Sequence, residues 1–78
     1  MAGERYRIVE VRPDKGGAEY PSTVVLAEDE IEFWLSVETE LHESSGWEVT
    51  PGENMIVCRR GTIVRVLEAR RYDPFNDV

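Results

Sequence analysis

At 78 residues, 41% of them hydrophobic and 32% charged, the chain carries enough apolar matter for one small core, too little for a second domain and too much for disorder. A net charge of −7 repels polyanions, and the N-terminus MAGERYRIVEV interrupts with charge the apolar run that a secretory signal needs. Apolar residues nowhere continue for the ~20 that a membrane-spanning helix requires, and Cys58 is the single cysteine, so a soluble, cytoplasmic protein in a reducing setting is expected.

Taken in chain order, Tyr6 to Arg12 (YRIVEVR) is dense in β-branched and aromatic residues and predicts a first strand, closed by Pro13. The stretch PDKGGAEYPS reads as a flexible loop over about 13–22, and Thr23 to Ala27 (TVVLA) as a second strand. A helix is predicted over about 30–44, with Asp29 as N-cap and Glu32 completing a capping-box-like pair. Glu28, Asp29 and Glu30 sit where the helix dipole stabilises anions, and Ser44, Ser45 and Gly46 mark its end. Trp47 to Thr50 alternates like a strand, and Pro51-Gly52 fits the centre of a type II turn. Two more strands, Met55 to Arg59 and Thr62 to Arg71, are expected to join at Arg60-Gly61. That register sets Val57 against Val64 and Met55 against Val66 as core candidates. A tail over about 72–78 (YDPFNDV) follows, with Pro74 blocking the ladder and Tyr72 and Phe75 as its aromatics.

The order ββαβββ predicts a single α+β domain over 1–78, one amphipathic helix packed on an antiparallel sheet of four to five strands. The helix followed by SGWEV at 45–49 and a C-terminal hairpin, behind an N-terminal strand YRIVEV, resembles small uncharacterised bacterial and phage domains whose helix ends in Gly-Trp-Glu. The resemblance implies the fold and no chemistry.

Charge is polarised along the chain. From Gly16 to Cys58 there is no Lys or Arg, against ten carboxylates, whereas Arg59, Arg60, Arg65, Arg70 and Arg71 crowd the C-terminal hairpin. At about 100° per residue, Phe33, Val37, Leu41 and Trp34 form the expected core face. Ile31, Leu35 and His42 widen the apolar arc to roughly 200°, about twice what docking on one sheet needs. The 13–22 loop or the tail is the first expected cover for the excess, a second copy or a partner the alternative. Asp29, Glu32, Glu40 and Glu43 share the opposite side, either as a solvated face or as a docking surface for a basic partner.

Catalytic motifs are absent from this reading. His42 is the only histidine, so neither a His-rich metal site nor a Cys-His pair assembles, and Gly16-Gly17 lacks the context of a phosphate loop. No metal, no cofactor and no enzyme activity are expected. Trp34 is read as packing and Trp47 as a plug at the helix end. The expected function is a non-enzymatic protein-interaction module of phage or bacterial type, steered by Asp29, Glu32, Glu40 and Glu43 and anchored by exposed Ile31 and Leu35. The alternatives are a homo-oligomer of acidic helices on arginine hairpins and, less favoured, a nucleic-acid binder using Arg59, Arg60, Arg65, Arg70 and Arg71.

Overall fold

Alternating apolar and polar residues bury one face only as strands, and five such segments assemble here. The computed structural model describes residues 4–73; Pro74, Phe75 and the rest of the expected tail to 78 lie outside the described residues. The elements are β1 (Arg5–Arg12), β2 (Ala18–Ala27), α1 (Ile31–Ser44), β3 (Glu48–Gly52), β4 (Met55–Arg60) and β5 (Ile63–Tyr72). The strands form one antiparallel sheet in the order β2-β1-β5-β4-β3, with α1 packed on it. The chain is therefore the α+β, ββαβββ protein that its pattern predicts. Both neighbours of α1 in sequence are edge strands. Five strands ~4.8 Å apart measure about 19 Å across, and the 14 residues of α1 reach about 21 Å, so one helix suffices to cross from edge to edge.

Half of the expected flexible loop over 13–22 is strand. A single 3-10 turn at Pro13–Lys15 and the positive-φ Gly16 and Gly17 reverse the chain, and β2 begins at Ala18. Pro21 is tolerated because β2 is an edge strand, where a missing N–H breaks no ladder. The β1–β2 register shifts between Arg7 and Val9. There the Ser22 hydroxyl donates to the Ile8 carbonyl at 2.7 Å and accepts the Val24 N–H at 3.1 Å, which satisfies backbone groups that a bulge leaves unpaired.

The helix start differs in its cap. Glu28–Glu30 form a 3-10 turn, and Glu30 Oε1 accepts the Ala27 N–H at 2.7 Å. Glu30, rather than Asp29 with Glu32, makes the contact; Ala27 has no side-chain oxygen to return it, so this is half a capping box. The helix end is as expected. Gly46 has φ +86, and the Trp47 N–H donates to the His42 carbonyl (3.0 Å) while the Gly46 N–H donates to Glu43 (3.1 Å), the two bonds of a Schellman motif.

Both later hairpins turn elsewhere than predicted. Pro51 and Gly52 belong to β3, and the chain reverses at Glu53-Asn54, where Asn54 takes φ +53; asparagine tolerates that left-handed conformation. The β4–β5 connection is Gly61-Thr62, one residue later than expected, so Val57 faces Val66, Met55 faces Glu68, and Val64 faces Arg59. A one-residue move of the turn shifts partners by two and preserves the faces. Those faces are not the ones assigned: Val66 is buried, but Met55, Val57 and Val64 are half-buried on the side away from α1.

The core under α1 comprises Ile31, Leu35, Ile56, Cys58 and Leu67, with Trp34, Trp47, Tyr6 and Leu26 packed at its margin. Cys58 is fully buried, and burial chiefly pushes its thiol up from the ordinary value. Native protein is expected to resist a disulfide exchange reagent at pH 8 and to release one thiol per chain in urea; rapid reaction without denaturant would contradict this packing.

The outer face of the sheet has no second layer among the described residues, yet Val9 is buried. In register it lies opposite Glu68 and Pro21, with Arg70 and Glu19 diagonal to it. Arg70 donates to both Glu19 oxygens (2.8 and 2.9 Å) and to Glu68 (3.2 Å), so this bridge spans the position of Val9. Arg70 holds Glu19 below the usual carboxylate range, and Glu19, then Glu68, hold the guanidinium proton more tightly than usual.

Candidate functional site

Docking α1 on the sheet uses one half of its apolar arc and leaves the other in solvent. Ile31 and Leu35 are 1% and 8% exposed, whereas Phe33, Val37 and Leu41 are 74%, 39% and 57% exposed. The expected core face is thus outward, and the two expected surface anchors are inside. Trp34, at the border between the halves, is half-buried. The strip Phe33, Val37, Leu41 follows i, i+4, i+8 spacing, which aligns side chains along one side of a helix over about 12 Å. Of the two expected covers, 18–22 are paired in β2 at the sheet edge, and the tail from Pro74 lies outside the described residues.

Asp29, Glu32, Glu40 and Glu43 are all exposed, as predicted. Among the described residues none of the four makes an ion pair. The carboxylates that do are on other elements: Glu10 and Asp14 with Arg12, Glu19 and Glu68 with Arg70, and Glu4 with Arg71. At 100° per residue, Glu32, Glu43 and Glu40 form a ridge directly beside Phe33.

On the other flank of that ridge an open groove of about 690 Å³ separates α1 from the β3–β4 turn. Ile31, Leu35, Ile56 and Pro51 contribute apolar surface to it, and Glu32, Glu40 and Glu53 contribute carboxylates. Ser36 and Thr39 also line it, but each hydroxyl donates back to the helix, to Phe33 (2.7 Å) and Leu35 (2.8 Å). Expected anchors Ile31 and Leu35 are therefore floor rather than edge.

The five C-terminal arginines do not form one patch. Arg59 and Arg60 are successive strand residues and point to opposite faces at the hairpin tip; both are exposed. Arg70 is held by Glu19 and Glu68, and Arg71 by Glu4 at 3.1 Å. Arg65 is turned under the end of α1. Its guanidinium lies 4.9 Å from the Trp47 ring centroid, Nη1 donates to His42 Nε2 at 3.2 Å, and Nε stands 3.5 Å from Glu10 without a hydrogen bond. His42 Nδ1 meets the Glu38 carbonyl at 2.7 Å, so the neutral tautomer with its proton on Nδ1 satisfies both contacts. The His42 and Trp47 rings meet edge to face at 5.5 Å. His42, placed by the sequence in the widened apolar arc, is by its geometry a link in a clamp between helix and sheet.

Among the described residues no three His, Cys, Asp or Glu side chains gather closely enough to hold a metal ion, and no helix is long and apolar enough to cross a membrane. Comparison with family models, curated proteins and solved structures finds no match to this chain.

Proposed function

We propose that the chain is a non-enzymatic interaction module, an accessory protein of bacterial or phage type, that docks a partner with a basic surface onto α1. The observation that carries this reading is the pairing of an exposed apolar strip, Phe33, Val37 and Leu41, with the adjacent carboxylates Asp29, Glu32, Glu40 and Glu43. The apolar strip supplies desolvation energy, and the carboxylates orient an approaching cationic surface and raise its encounter rate. A second copy is a poor occupant of this strip. Residues 27–45 hold no Lys or Arg, so two α1 helices face to face would bring like charges together.

A photo-crosslinker at Val37 in the native cell tests the reading, with one at Thr23 on the far edge as control. Capture of a partner with a basic surface is expected at Val37 only. It should fall by roughly tenfold or more in the chain carrying Asp29→Lys, Glu32→Lys, Glu40→Lys and Glu43→Lys, and in Phe33→Ser, with circular dichroism unchanged. Recovery of the same partner by all variants would sink it. Arg59 and Arg60, exposed and without an ion pair among the described residues, keep the homo-oligomer as second reading; a monomeric mass by light scattering at low salt and high concentration removes it. Scattered, largely neutralised arginines and a net charge of −7 leave nucleic acid the least supported partner.

A further inference from the structure

The groove between α1 and the β3–β4 turn has the size of a small-molecule site, which typically measures about 300–1,000 Å³ and combines apolar walls with a few polar groups. Here the charged groups are all of one sign. Of the lining side chains, none is Lys, Arg or His; Ser36 and Thr39 have spent their hydroxyl protons on the helix backbone; and Glu32, Glu40 and Glu53 remain as acceptors. The Asn54 carboxamide is the one further polar side chain in the lining, so a ligand must bring the positive charge itself. The carboxylates come from two elements, two from α1 and one from the turn, and are not gathered into a metal-binding group. A collar of separated charges suits a bulky cation with an apolar body better than a compact divalent ion.

We infer that this groove binds a small organic amine, its apolar body on the Ile31, Leu35 and Ile56 floor and its ammonium head among Glu32, Glu40 and Glu53. The site shares Glu32 and Glu40 with the proposed docking surface but not its apolar strip, since Phe33, Val37 and Leu41 lie on the other flank of the acidic ridge.

Three probes with one alkyl chain and different heads test it: n-hexylammonium, n-hexanol and n-hexyl sulfate, titrated against the full chain with amide chemical shifts as readout. Shifts should cluster at Ser36, Thr39, Gly52 and Asn54. Hexylammonium should bind about fivefold more tightly than hexanol, the preference that exposed carboxylates support, and hexyl sulfate more weakly than either. The double variant Glu40→Gln, Glu53→Gln, both positions exposed, should erase the preference while the fold is retained. Phe33→Ser should leave amine binding unchanged, which separates this site from the partner surface. Equal affinity for the ammonium and the alcohol, or shifts centred away from the groove, would overturn the inference.

Discussion

Replacing Ile31 with alanine is expected to lower the unfolding free energy by about 3 kcal/mol, the usual range for truncating a buried aliphatic residue. Ile31 is 1% exposed and belongs to the cluster with Leu35, Ile56, Cys58 and Leu67, where α1 presses on the sheet. A chain this short has a small reserve of stability, so the midpoint of thermal unfolding should fall by roughly 15 °C. Phe33→Ala is the matched control. Though phenylalanine is the larger side chain, its 74% exposure should hold the change within about 0.5 kcal/mol. Urea denaturation of both variants checks the pair. The reverse ranking would place the helix on its other face and remove the basis of the proposed docking strip.

Arg65→Ala is expected to cost about 1–2 kcal/mol, a sum of the charged hydrogen bond to His42 and the stacking on Trp47. Its 3.5 Å approach to Glu10 adds little, because the side chain is 32% exposed and water screens the pair. Arg65→Lys should recover only part of the loss, since an ammonium cannot reproduce the planar stacking and the fork of donors. In a Trp34→Phe background the remaining Trp47 emission should move to longer wavelength when Arg65 is removed. Unchanged stability together with unchanged emission would mean that the clamp carries no weight.

The order of elements was legible because its signals are local. Strand alternation, the glycine-stopped helix and the two C-terminal hairpins each follow from a few neighbouring residues. The turns were displaced because Pro51-Gly52 is a good turn pair that the edge position of β3 also accepts, while Asn54 supplies the left-handed residue that the reversal needs. Which half of α1 faces inward was not legible from the wheel. Phe33, Val37 and Leu41 are as apolar as Ile31 and Leu35, and an arc twice the necessary width does not reveal which half the sheet covers.

A signal was nevertheless present. A Schellman end commonly brings the residue two beyond the cap against the third residue from the helix end, here Trp47 against His42. Because the chain enters the sheet directly after Trp47, the line through His42 and back along the helix to Leu35 and Ile31 is the inward one. Among the expected site residues, the four carboxylates were legible because uncompensated charge goes to water. The groove was not, since it joins α1 to a turn whose place the sequence had set two residues too early.

The two borders of the sheet have a consequence for how the molecule meets others. On β2, Pro21 and the irregular stretch around Ser22 break the row of backbone groups, and on β3, Pro51 leaves a gap in a strand only five residues long. Such borders resist the strand-by-strand addition that drives fibril growth and swapped assemblies. Recognition by backbone annealing is thereby disfavoured, and selective contact falls chiefly to surfaces made by side chains.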